Sequence, residues 1–153
     1  MPTNLLRGQN RSVAPDKEEA RRRAKKPADR RILITAGRVK VRAQLLDTPT
    51  ADRIWQALPL YSTAEPWGQA IHFATPLESG RERNARQLAT LGDICFWVED
   101  DRVIIVFGPT PISRPGELRL PRPCNLWARA LDDVRVLKAV RPGEKVSVTS
   151  ATD

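Results

Sequence analysis

Hydrophobic and polar positions change rhythm abruptly at Ile32. Before it, residues 1–31 show no periodic apolar stripe, and Pro2, Pro15 and Pro27 cut them into pieces too short to offset the entropy of ordering. After it, residues 32–35 and 39–46 are β-rich runs on either side of Ala36-Gly37. In the second run Val39, Val41, Ala43 and Leu45 alternate with Lys40, Arg42 and Gln44, the period of a hairpin with one dry face. Asp47-Thr48-Pro49 then supplies a capping side chain and a proline preset for a first helical turn. Ala51, Ile54, Trp55 and Leu58 follow at helical spacing, so one amphipathic helix ends near Pro59 with Asp52, Arg53 and Gln56 on its polar face.

Beyond Pro66 the pattern is that of strands: residues 69–75, 93–99, 102–107, 125–131 and 145–149. Glu99-Asp100-Asp101 and Arg141-Pro142-Gly143-Glu144 read as tight turns between them. Every side chain from 103 to 107 is apolar, which requires cover on both faces of the sheet, whereas Val146 and Val148 alternate with polar neighbours as a one-sided strand does. A closed sheet with a helix packed outside meets both demands. Residues 132–140 suit a short helical turn, and residues 81–91 read as a loop with at most one turn of helix.

Charge sharpens the division at residue 31. The chain carries +8, and residues 1–31 hold ten Lys/Arg against four Asp/Glu, which is +6 of it. This segment reads as a basic, disordered tail, with residues 32–150 as the folded domain. Asp16 could cap a short helix there in which Glu18 and Glu19 face Arg22 and Arg23, a pairing worth only tenths of a kcal/mol. The basic run at 21–26 suits weak contact with nucleic acid or another anionic surface, against the plainer reading of a solvated extension. Two cysteines and no charged opening followed by a long apolar run make the cytoplasm the expected setting. No stretch approaches the roughly 18 apolar residues of a spanning helix, so no membrane partner is expected.

Four stretches taken in order resemble a known family: Pro66-Trp67-Gly68-Gln69-Ala70-Ile71-His72-Phe73-Ala74-Thr75-Pro76, Gly92-Asp93-Ile94-Cys95-Phe96-Trp97, Phe107-Gly108-Pro109-Thr110-Pro111-Ile112-Ser113, and Asn125 with the strand after it. Together they are similar to the small cyclophilin-like proteins of bacteria and archaea. The resemblance implies a mainly β, closed eight-stranded cyclophilin-like barrel with one or two short helices outside it, and no assigned activity. It also offers weak or specialised peptidyl-prolyl cis-trans isomerase activity as an alternative, in which an arginine polarises the imide nitrogen. No F-x-x-Q-x-G-D-type segment matches, and Arg81, Arg83, Arg86 and Arg114 are merely loop arginines.

Direct signs of catalysis are few. His72 is the one histidine, which removes any two-imidazole site, so no metal or cofactor is expected. If Ile71 and Phe73 fill the core, alternation turns His72 to solvent or a groove. Cys124 invites a Cys-His nucleophile but lacks any supporting signature, and Cys95 reads as a small buried filler. No phosphate cradle, nucleophile elbow or carboxylate cluster is present.

The better clue is residues 109–123, where Pro109, Pro111, Pro115, Pro121 and Pro123 stiffen fifteen residues without a regular pattern, with Thr110, Ser113 and Arg114 as donors. Trp67-Gly68 adds an indole at a strand entry where glycine permits close approach. The expectation is a small molecule or peptide bound in a groove at the barrel edge by Trp67, Gly68, Phe73, Phe107, Thr110, Ser113 and Arg114. The alternative is a rigid connector closing one barrel end.

Overall fold

A computed structural model describes residues 30–151 of the chain. The expected tail therefore lies outside the described residues up to position 29, as does the helix proposed around Asp16. Arg30 and Arg31, counted above with the tail, belong to the fold. Arg30 is buried, its Nη1 donates to Asp52 Oδ1 at 2.8 Å, and its carbonyl accepts from the Leu45 N–H.

β1 (Arg31–Ala36) and β2 (Val39–Leu45) form the predicted hairpin, with Ile32, Ile34, Ala36, Val41, Ala43 and Leu45 on its buried face. Helix α1 (Pro49–Ala57) starts where its cap demands: Thr48 is extended, its hydroxyl accepts from the Ala51 N–H at 3.0 Å, and Pro49 opens the first turn. It stops because Pro59 forces Leu58 out of the helical region, to ψ 145°. Ala51, Ile54 and Trp55 turn inward.

The remaining strands are β3 (Leu60–Thr63), β4 (Glu65–Pro66), β5 (Ala70–Ala74), β6 (Arg86–Leu88), β7 (Asp93–Trp97), β8 (Arg102–Val106), β9 (Arg119–Ala130) and β10 (Lys145–Ala151). Short 3-10 turns cover Val98–Asp100 and Val134–Ala139; the second falls where a short helical turn was expected and is capped by Asp133. All pairings are antiparallel, in the order β3-β10-β1-β2-β9-β7-β8-β5-β4, with β6 added on β9.

The protein is thus mainly β, with one large sheet of ten strands rather than eight, and the hydrogen-bonded path does not close. β3 and β4 stand at its two ends with no ladder between them, although Ala64 alone separates them in the chain. Closure by pairing would need regular strand length, and β4 is only two residues ending in a proline without an N–H to give.

Two cores use the two faces of this sheet. The main one gathers Ile32, Ile34, Val41, Ile54, Trp55, Ile71, Phe73, Ile94, Phe96, Val103, Ile105 and Trp127 under α1. A smaller one on the opposite face joins Ala70, Cys95, Ile104, Val106, Leu120, Cys124 and Leu126, with Trp67 and Trp97 packed against it. β8 feeds both, as its unbroken apolar run requires. The indole N–H groups of Trp97 and Trp127 are buried without a hydrogen-bond partner. Each such group costs about 1–3 kcal/mol, less than the roughly 5 kcal/mol gained by burying about 200 Å2 of indole.

Two segments differ from expectation. The proline-rich stretch is not loop to residue 123: β9 starts at Arg119 and carries Pro121 and Pro123 within it. Prolines two apart lose their N–H groups on the same side of the strand, so this part of β9 pairs with β6 and leaves the other edge unladdered. The segment 81–91 holds β6 rather than a helical turn.

Truncating Phe96 to alanine should cost about 3–5 kcal/mol of unfolding free energy in urea melts, whereas Tyr61→Ala, at a ring 72% exposed, should stay within about 0.5 kcal/mol of the parent.

Candidate functional site

Residues 76–85 form no helix or strand, yet they are fixed against the body of the domain by a buried polar cluster. Its centre is Asn125 on β9, whose side chain has no exposed surface. Asn125 shares the inner face of β9 with Trp127, so its amide meets α1 and the passing segment instead of water. Its Nδ2 donates to Thr50 Oγ1 at 3.0 Å and to the Gly80 carbonyl at 2.8 Å, and its Oδ1 accepts from the Glu82 N–H at 2.8 Å.

Glu82 then reaches the first turn of α1, where Oε2 accepts from the Thr50 N–H at 2.8 Å and from the Thr50 hydroxyl at 2.6 Å. A carboxylate is favoured there by the unpaired N–H groups and the positive end of the helix. Because the Thr50 proton goes to Glu82 and one lone pair to Asn125, the Ser79 hydroxyl at 2.9 Å is left as donor to the second lone pair.

Beside this fixed floor opens a cleft of about 490 Å3 lined by Arg53 of α1, Glu78, Ser79 and Gly80 of the segment, and Val98 and Asp101 of the turn between β7 and β8. An Arg81–Glu99 ion pair ties the segment to that turn on the far side. The cleft is lined by one guanidinium and two carboxylates, with Ser79 and Gly80 beside them held by Thr50 and Asn125. None of its lining residues was picked out as a binding residue from the sequence. Asn125 was quoted only as part of a resemblance, and nothing in the polar letters of 76–82 distinguishes a pinned segment from a solvated loop.

The residues expected to form a groove are divided between the faces of the sheet. Phe73 and Phe107 are in the main core, while Trp67 is half-buried against the smaller core on the other side. Gly68 and the proline-rich rim do meet: Gly68 has φ +56°, and a Cβ there would come 2.6 Å from Pro111 Cδ. The Gln69 N–H donates to the Pro109 carbonyl and the Phe107 N–H to the Gln69 carbonyl, so the two turns are laced together.

Thr110 and Ser113 spend their hydroxyls inside the rim. Thr110 donates to the Arg119 carbonyl at 2.6 Å, and Ser113 Oγ accepts from the Thr110 and Arg119 N–H groups at 2.9 Å each. Arg114 has an exposed side chain at the tip. Of the other arginines expected in loops, Arg81 is engaged by Glu99, and Arg86 belongs to β6 and lies 3.9 Å from Asp93.

Residues 30–149 match the family model described as cyclophilin-like. The chain belongs to the cyclophilin-like family. Its solved neighbours include the hypothetical protein AF2241 from Archaeoglobus fulgidus, known from a solution structure, at 31% identity over 84% of this chain and 99% of that one, with a TM-score of 0.72. A more distant neighbour is McbB in complex with tryptophan, at 15% identity over 80% of this chain and 46% of McbB, with a TM-score of 0.57, which shows a shared fold. No curated protein matches the chain.

In this cyclophilin-like domain the nucleophile candidates are quiet. Burial pushes the Cys95 thiol well up, and the Cys124 thiol is pushed up to about 12 by burial foremost, so both stay protonated at neutral pH. His72 sits half-buried on the sheet face opposite Ile71 and Phe73, its ring edge-on to Trp97 with centroids 5.8 Å apart. Its Nδ1 is 3.2 Å from Arg102 Nη1, and a guanidinium can only donate, so the proton of the neutral ring is on Nε2. Burial, then Arg102, lowers its pKa below 6.5. Among the described residues no group of three or more His, Cys, Asp or Glu is placed to hold a metal ion.

Two outcomes follow. Asn125→Leu keeps the branching and the number of heavy atoms but strands the Glu82 N–H and the Gly80 carbonyl, and should cost about 3 kcal/mol in chemical denaturation. The unfolded chain binds a proton at His72 more readily than the folded one, so stability should fall as pH drops through 6.5 and below. His72→Gln should flatten that slope in melting temperatures taken between pH 7.5 and 5.5.

Proposed function

We propose that this domain binds a small molecule or peptide end carrying both a negative and a positive group, such as a free amino acid, in the cleft between α1, residues 78–80 and the β7–β8 turn. The observation that carries the reading is that Arg53, Glu78 and Asp101 line one cleft together with Ser79 and Gly80, which are hydrogen-bonded to Thr50 and the buried Asn125. A carboxylate suits the arginine as a forked partner, and an ammonium suits a carboxylate. A rigid floor lowers the ordering cost of binding, because residues 76–85 need not be fixed when the ligand arrives.

McbB, 46% of which shares this fold at 15% identity, is known in complex with tryptophan, itself a zwitterion. The rim at Trp67, Gly68, Thr110, Ser113 and Arg114 is the competing location, and the two are separable. Phe73 and Phe107 would serve either place only as part of the core behind it.

A panel of amino acids and dipeptides at millimolar concentration should include at least one that raises the melting temperature by several degrees. Saturation at a hundredfold over Kd corresponds to about 2.7 kcal/mol. Arg53→Gln should abolish the shift and Trp67→Ala should leave it. A shift that survives Arg53→Gln but disappears in Trp67→Ala moves the site to the rim, and a panel with no shift overturns the proposal.

A further inference from the structure

A second cleft, of about 420 Å3, is lined by residues from three turns and shares none of them with the cleft beside α1. They are Arg38 of the β1–β2 turn with Val39 after it, Ala139 at the end of the second 3-10 turn, and Arg141 and Glu144 of the turn into β10. Only Gly37 and Arg38 join the paired residues Ala36 and Val39, and Gly37 takes φ 60°, which glycine adopts without strain. The Gly37 N–H donates to the Lys145 carbonyl at 3.0 Å, so this turn is tied to the first residue of β10. The turn into β10 is held in its own right, because the Ala64 N–H donates to the Glu144 carbonyl and the Gly143 N–H to the Ala64 carbonyl, both at 2.8 Å. Buried Val134 and Leu137 anchor the 3-10 turn. The walls are in place before any ligand arrives.

Charge in this cleft is unbalanced. Elsewhere Arg30, Arg42, Arg81, Arg102, Arg119 and Arg135 each meet an Asp or Glu. Among the described residues the Arg38 and Arg141 guanidiniums meet none, although Glu144 lines the same cavity. Glu144 is engaged by the backbone: its Oε1 accepts from the Arg141 N–H at 2.7 Å, and its carboxylate lies over Gly37, where a Cβ would overlap Oε2. The cavity therefore holds two side chains that stay cationic at any working pH and one carboxylate that pairs with neither.

We propose that this cleft binds the phosphate-monoester end of a small molecule, with Arg38 and Arg141 as the two counter-charges and Val39 and Ala139 against the organic part. One guanidinium fork satisfies a planar carboxylate, so a monocarboxylate would leave the second arginine uncompensated. A monoester carries close to two negative charges near pH 7 on three free oxygens, enough for both forks. A wholly apolar guest would strip water from two charges and return no hydrogen bond. At about 420 Å3 the cleft falls within the roughly 300–1,000 Å3 of small-molecule pockets, so an organic group fits beside the phosphate. With no lining residue in common, this proposal stands or falls independently of the zwitterion proposed for the cleft beside α1.

The test is isothermal titration calorimetry of the full chain at low salt with three probes: phenyl phosphate, benzoate, and dimethyl phosphate, which stands for the diester backbone of a nucleic acid. Phenyl phosphate should bind one to one and more tightly than either of the others. Arg38→Gln and Arg141→Gln should each weaken it roughly tenfold or more, the loss of a charge-assisted forked contact. Arg122→Gln, which removes an exposed charge from β9 outside the cleft, should leave it unchanged. All three variants alter exposed side chains, and matched thermal melts show whether each folds as the parent does. Equal losses in all three variants would assign the binding to diffuse positive charge and overturn the proposal. So would unchanged binding in both cleft variants, dimethyl phosphate or benzoate binding as tightly as phenyl phosphate, or no binding of phenyl phosphate at millimolar concentration.

Discussion

The side-chain amide of Asn125 is shut away from water and bonded at once to α1 through Thr50, to the backbone at Gly80 and to the backbone at Glu82. Each of these bonds is individually modest, but in a buried setting an unmet partner would cost more than a met one contributes. The cluster therefore behaves as a unit. It fixes Ser79, Gly80 and Glu82 in a segment without regular structure, and Ser79 and Gly80 are part of the lining of the cleft beside α1. Glu82 completes the arrangement by giving the helix start a carboxylate.

Around that fixed point the sheet divides its labour. Where β5, β8, β7 and β9 run, both faces are dry: α1 and the main core cover one, and Trp67, Trp97 and Leu118 pack over the other. Where β3, β10, β1 and β2 run, only one face is dry and the other is left polar and positive. The first half gives the fold its apolar bulk and the second gives it a surface. His72 and Arg102, with Glu65 at 3.5 Å, border the smaller core, and the ring's lowered pKa there is a consequence of burial beside a cation rather than of catalysis.

Alternation made much of this readable. The hairpin at β1 and β2, a cap within Asp47-Thr48 and the Pro49 start of α1, the double-sided burial of β8 and the placing of His72 opposite Ile71 and Phe73 all follow from local letters and their period. What was not readable depended on partners far away in the chain. Pro121 and Pro123 suggested a loop because a proline cannot serve a central strand. They are accommodated because only one edge of β9 is needed there.

Strands β3, β4 and β6 are too short to carry a period, and they exist only because longer neighbours offer an edge. The proposed groove joined Trp67 to Phe73 and Phe107 on a family resemblance and strand alternation, although one lies on the opposite side of the sheet from the other two. The cleft residues gave no warning at all, because the constraint on Gly80 and Glu82 is exerted by Asn125, more than forty positions later, and that on Ser79 by Thr50, twenty-nine positions earlier.

The most direct test of this account is native-state hydrogen exchange at the amides of Glu82 and Thr50, resolved by NMR. If Asn125 and the helix start pin the segment, both amides should exchange as slowly as those in the middle of β9, although neighbouring Arg83 and Asn84 exchange fast. Exchange of the Glu82 amide at the rate of an unstructured peptide would contradict it, since a segment that opens freely could neither bury that amide network nor line the cleft beside it.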